Sequence, residues 1–108
     1  MSSEQRIAKL KELIAQNPKD SLSRYTLALE YKDSGDPHTA IEELEALLTH
    51  DANYIPAYHQ LGQIYGKLNK TNEAKKIYRK GIDIAVELDD NKTASEMREE
   101  LEEIEDEW

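Results

Sequence analysis

The sequence predicts an all-α fold of six amphipathic helices paired as antiparallel neighbours. Three observations carry that expectation. Apolar residues recur three and four apart almost throughout the 108 residues, which is the spacing of one helix face. Strictly alternating β-branched runs are missing, while Ala, Leu, Glu and Lys dominate. The chain also resembles itself when shifted by 34 residues.

The elements follow in order. The first helix is expected over about Ser3 to Gln16, striped by Ile7, Leu10, Leu13 and Ile14. Asn17-Pro18 ends it, because a residue before proline avoids the helical region. The second runs from about Asp20 to Ser34 and carries Leu27, Ala28 and Tyr31 on one side, with Leu22, Tyr25 and Leu29 on another. Gly35 is the natural residue just past its end. Asp36 then caps the third helix, with Pro37 in the first turn, where no N–H is needed. Its stripe is Ala40, Ile41, Leu44, Leu47 and Leu48. The fourth helix is placed from near Asn53, tolerating Pro56 early, with Tyr58, Leu61, Gly62 and Tyr65. The fifth begins at Thr71 or Asn72 and carries Ala74, Ile77, Tyr78, Ile82 and Ala85. The sixth is placed from near Thr93, where Thr93 and Glu96 could form a capping box. Short connections make successive helices antiparallel neighbours.

Composition narrows the function. One domain is expected for this length, and the absence of cysteine excludes disulfides, thiolate metal sites and cysteine nucleophiles. The net charge of −9 repels phosphate backbones, so nucleic acid is not an expected ligand. The apolar runs are too short for a membrane span, and the N-terminus has no apolar signal region. A cytoplasmic protein is the expectation.

The 34-residue shift brings Leu27 onto Leu61, Tyr31 onto Tyr65 and Ala40 onto Ala74. It also brings Ala28 onto Gly62, Leu44 onto Tyr78 and Leu48 onto Ile82. Small residues at fixed points let paired helices approach, and bulky ones fill the space between them. The segment Tyr58-x-x-Leu61-Gly62-x-x-Tyr65 followed by Ala74-x-x-x-Tyr78 resembles the tetratricopeptide repeat, with Tyr where Trp is usual. The preceding unit is weaker, with Arg24 at the Trp position and Ala28 at the Gly position, and both units lack the closing Pro. The resemblance implies a solenoid, an α-α superhelix of stacked hairpins. It divides the chain into a leading half-repeat helix at 3–18, repeats at 21–54 and 55–88, and an acidic capping helix at 90–108. Leu27, Ala28, Tyr31, Ala40, Leu44, Tyr58, Leu61, Gly62, Tyr65, Ala74 and Tyr78 are then the repeat-packing residues.

The last helix departs from the repeat register. Its stripe is Ala94, Met97, Leu101, Ile104 and Trp108, backed by glutamates. A terminal cap needs one apolar face and one wet face. A coiled-coil seam to a partner is the rival reading. Residues 90–108 hold nine acids and two bases, net −7, whereas Lys67, Lys70, Lys75, Lys76, Arg79 and Lys80 form a basic stretch before them. Either the two neutralise each other within the chain, or the basic stretch meets an acidic partner.

No catalytic set is visible. His38, His50 and His59 do not stand at metal-ligand spacing, and the serines lack a recognisable His and Asp set. No Gly-rich phosphate loop appears, and the acidic run lacks the Gly and Asn/Asp pattern of a calcium loop. No enzyme, metal or cofactor is expected. By the resemblance, first helices line a concave groove that grips a partner peptide. The residues left after core packing are Leu22, Tyr25, Thr26, Leu29, Lys32 and Asp33 on one helix, and Pro56, His59, Gln60, Gln63 and Lys67 on the other. One subtype of the family clamps a C-terminal carboxylate with Lys, Asn and Arg. Here Tyr25, Leu29, Gln60 and Pro56 hold four of those places, so an apolar or aromatic segment is the expected ligand. Leu22, Tyr25 and Leu29 would be costly to leave idle. The alternative function is a homodimer formed through the uncovered face of the first helix.

Overall fold

The protein is described from a computed structural model that covers residues 1–106. Six helices make up the described chain: α1 (Ser3–Gln16), α2 (Ser21–Asp33), α3 (Pro37–His50), α4 (Ile55–Lys67), α5 (Thr71–Glu87) and α6 (Asn91–Glu105). It divides into two compact units, Met1–Tyr54 and a second beginning at Ile55. In the first, α2 packs on both α1 and α3. In the second, α5 packs on both α4 and α6.

Local chemistry sets the helix starts. Asp20, Asp36 and Asp90 each precede a helix and accept a hydrogen bond from the backbone N–H three residues on, at Ser23, Thr39 and Thr93, all at 3.2 Å. That satisfies a donor the helix cannot pair internally. Bonds from the hydroxyl and N–H of Ser23 hold the Asp20 carboxyl below its ordinary value, and Thr39 does the same for Asp36. α1 starts with a capping box formed by Ser2 and Gln5.

Three helix boundaries differ from the sequence expectation. α6 begins at Asn91, two residues before Thr93, because Asp90 takes the capping role and Thr93 supplies the N–H instead. Asp20 is the cap of α2, outside the helix proper. α4 begins at Ile55, since Tyr54 N–H closes a turn onto the Asp51 carbonyl at 3.1 Å. The Trp108 position of the expected α6 stripe lies outside the described residues.

The 34-residue period is written into the turns. After α2, Gly35 adopts φ 90°, and Asp36 N–H reaches back five residues to the Tyr31 carbonyl at 2.8 Å. After α4, Asn69 adopts φ 60°, and Lys70 N–H reaches Tyr65 at 2.9 Å. α5 departs from the period: it ends in this closure too, with Asp89 left-handed and Asp90 N–H on Ala85, and not in the turn that follows α3. A left-handed residue followed by a bond of that reach is the Schellman ending, which favours Gly and tolerates Asn and Asp. The other turn type recurs as well: Asn17 N–H on Leu13 and Asp20 N–H on Asn17 reappear as Asp51 on Leu47 and Tyr54 on Asp51. α1 therefore ends as α3 does.

Packing follows the stripes. Leu27, Ala28, Ala40, Ile41, Leu44 and Leu47 are buried in the first unit. Tyr58, Leu61, Ala74, Tyr78, Ile82, Ala85, Ala94, Met97 and Leu101 are buried in the second. Tyr31 and Tyr65 are only half-buried, and Lys11 Nζ lies 5.9 Å from the Tyr31 ring centre. No residue of α1 is fully buried.

Candidate functional site

On the first unit the candidate surface is one side of α2. Leu22 is 65% exposed there. Leu29 lies two turns on and is half-buried. Tyr25 is also half-buried, and its ring meets Tyr54 at 5.5 Å between centroids with the planes 57° apart. Burial, helped by Tyr25, Asp51 and Asp20, holds the Tyr54 phenol above its ordinary value. Thr26 donates its hydroxyl to the Leu22 carbonyl at 2.8 Å, so it is spoken for within the helix. Lys32 is half-buried and Asp33 exposed. Next to this surface is a recess of about 200 Å³ lined by Arg6, Leu10, Thr26 and Glu30 among others. Arg6 Nε donates to Glu30 Oε1 at 2.6 Å there.

In the second unit two of the polar candidates, His59 and Gln63, bond to the sixth helix. Glu100 of α6 accepts three hydrogen bonds: from His59 Nε2 at 2.5 Å, Gln63 Nε2 at 3.0 Å and the Tyr78 hydroxyl at 2.9 Å. A carboxylate only accepts, so the His59 nitrogen facing it carries the proton. Gln63 Nε2 also lies 3.3 Å from that nitrogen, but two donors facing each other make no bond, and its amide serves Glu100. Burial by itself would raise the Glu100 carboxyl. The bonds from His59, Gln63 and Tyr78, with the electrostatic pull of His59, outweigh it and hold the carboxyl below its ordinary value. For Tyr78, burial comes first and the Glu100 bond and charge add to it, so the phenol is held well above its ordinary value and remains a donor.

His59 and Gln63 thus stand on the α4 face expected for the groove, but with an intramolecular partner. Pro56 is exposed and Gln60 half-buried on the same helix. Gln63 and Lys67 line a cleft of about 410 Å³ together with Gly62, Gly66, Tyr78, Glu100, Glu103 and Ile104. From α5, Arg79 pairs with Glu105 of α6 at 2.8 Å, an exposed contact that contributes about 0–1 kcal/mol.

Sequence reasoning missed Glu100, Gly66 and Ile104 as parts of this surface. Glu100 had one weak signal: it stands three residues after Met97, so it flanks the buried stripe. Nothing else separates it from Glu99, Glu102 and Glu103.

The two glycines of α4 have different reasons to be glycine. A Cβ on Gly62 would lie 2.5 Å from the Tyr78 ring, whose hydroxyl is held by Glu100. A Cβ on Gly66 would meet nothing nearer than Ile104 Cδ1 at 3.9 Å. Overpacking costs about 1–3 kcal/mol, while Gly to Ala in a helix gains at most about 1 kcal/mol. Gly62→Ala is therefore expected to lower stability, by up to about 2 kcal/mol once the full helix gain is subtracted, and Gly66→Ala to leave it unchanged or raise it. A lowered urea midpoint for Gly62→Ala and none for Gly66→Ala checks this pair; equal losses would refute it.

The tetratricopeptide repeat profile matches residues 22–54 and 55–92. No match is found among curated proteins. Among solved structures, the chain is similar to a tetratricopeptide repeat domain protein from Salinibacter ruber at 30% identity, covering 85% of this chain and 93% of that one with a TM-score of 0.80. A Bordetella parapertussis protein shares the fold at 23% identity, covering 91% of this chain and 85% of its own with a TM-score of 0.79. So does the Sgt2 tetratricopeptide domain of Aspergillus fumigatus, at 24% identity, 92% and 63% coverage and a TM-score of 0.77. Two matched repeats over most of an all-α chain, with turns that recur every 34 residues, place this protein in the tetratricopeptide repeat family.

Proposed function

We propose that the chain is a non-enzymatic interaction module that grips a peptide or protein segment on the first-helix faces of its repeats. Tetratricopeptide repeats generally mediate protein–protein interaction, and the finer reading rests on α2. Its supporting observation is Leu22, exposed on the same side as Tyr25 and Leu29. Leu22 is the exposed end of an apolar side whose other two members are half-buried, and a partner that covers it would extend that burial. Leu22→Glu is the cleanest variant, because most of the side chain is exposed. Affinity capture with this variant is expected to lose the partners held by the unaltered chain. The pair Tyr25→Ala with Leu29→Ala should lose them too, at a stability cost from the Tyr54 ring contact of about 0.5–1.5 kcal/mol. Variants that fold and retain every partner would overturn the proposal.

Self-association through α1 is the second reading. It is favoured by Leu13, which is exposed on a helix with no fully buried residue. Light scattering across a dilution series separates the two: a dimer that resists dilution and is lost in Leu13→Glu supports self-association.

A further inference from the structure

The α4 cleft needs an explanation that packing does not supply. Glycine weakens a helix, and at position 62 the contact with Tyr78 accounts for it. At position 66 φ is not positive and a side chain would enter open space. What Gly66 does achieve is depth: it is part of the lining of a cleft of about 410 Å³ whose walls include the Tyr78 ring and Ile104. A bulky side chain there would occupy part of that space.

The rim is charged. Lys67 stands at the α4 end, while α6 brings Glu100 and Glu103. Glu100 is already satisfied by three donors, which leaves Glu103, exposed at the cleft, as the carboxylate available to a visitor. Residues 55–108 hold 13 acids and 8 bases, net −5 even with the basic stretch included, so the field favours basic segments over acidic ones.

We propose that this cleft seats one apolar side chain of a partner segment flanked by lysine or arginine, with Gly66 keeping the seat open and Glu103 reading the flanking cation. The inference rests on the interaction-module reading and names the chemistry of the partner at one of its faces.

The test uses the full ¹⁵N-labelled chain and three blocked pentapeptides, Ala-Lys-Leu-Lys-Ala, Ala-Glu-Leu-Glu-Ala and Ala-Lys-Ser-Lys-Ala. The first is expected to shift the Gly62, Gly66 and Ile104 amides saturably, and the other two to bind at least tenfold more weakly. Gly66→Leu should weaken the first peptide at least tenfold. Glu103→Lys, an exposed change that leaves the fold intact, should reverse the preference between the lysine and glutamate peptides. Undiminished binding to Gly66→Leu, equal binding of the glutamate peptide, or no saturable shift at the cleft overturns the inference. Leu22→Glu should bind the first peptide as the unaltered chain does. If that variant loses natural partners while Gly66→Leu and Glu103→Lys keep them all, the cleft inference falls and the interaction reading stands.

Discussion

Tyr58→Ala is expected to destabilise the second unit by about 3–5 kcal/mol, the range for deleting a large aromatic from a core. The ring is 1% exposed, and it lies so close to Gly81 that a Cβ there would be 2.6 Å from Tyr58 Cβ. Met97 Sδ would be 2.9 Å from the same Cβ. Tyr58, Gly81 and Met97 therefore interlock, one from each helix of the unit, and removing the ring leaves a void that Gly81, with no side chain, cannot fill. A domain of this size has about 5–15 kcal/mol in total, so the variant should lose a large fraction of it. Urea unfolding followed by circular dichroism is expected to show a lower midpoint at an unchanged slope. A cost below about 1 kcal/mol would mean that the ring is not part of the core.

Glu100→Ala is the second large effect, about 2–4 kcal/mol. It strands the buried Tyr78 hydroxyl and removes the acceptor that both His59 and Gln63 use. A buried donor left without a partner costs about 1–3 kcal/mol, and the lost charge-assisted bonds add to it. Glu100→Gln keeps an acceptor oxygen and should cost less. The two variants also predict a pH dependence. Because the folded Glu100 carboxyl titrates below its ordinary value of 4.5, its contribution is present above that value and is lost as pH falls through the lower, folded value. The stability gap between the unaltered chain and Glu100→Gln should thus be full at neutral pH and shrink in acid. For Tyr78 the sign is opposite: its phenol is raised, so its contribution is full below 10 and is lost as pH rises through the folded value. A gap that stays constant from neutral pH into acid would show that folding does not hold the Glu100 carboxyl below its ordinary value.

Much of the fold was legible because its signals are local. Gly35, Asp36 and Pro37 state a helix end, a cap and a first turn within three residues, and the structure uses each in that role. Apolar spacing of three and four marks the buried stripes, and the 34-residue shift marks equivalent helices. The start of α6 was misplaced because Asp90 and Thr93 are both acceptable caps, and only the left-handed turn at Asp89 brings Asp90 to the helix end. The site was less legible. The α4 face carrying His59 and Gln63 follows from spacing, but their partner is 37 to 41 residues away, on a helix with many glutamates. Choosing Glu100 among them requires knowing how α6 is rotated on α5, which depends on Met97 and Leu101 entering the core together. Gly62 is signalled by the small residue at Ala28 one period earlier. Gly66 has no such counterpart, since the same shift places it on Lys32.

Partner contact through the α2 face is checked by photo-crosslinking. A benzophenone amino acid is placed at Leu22 on that face in one chain, and at Glu42, exposed on α3, in another. Irradiation in native extract is expected to join the partner to the first chain and not to the second. Equal yields from both positions, or crosslinking from Glu42 alone, would contradict it.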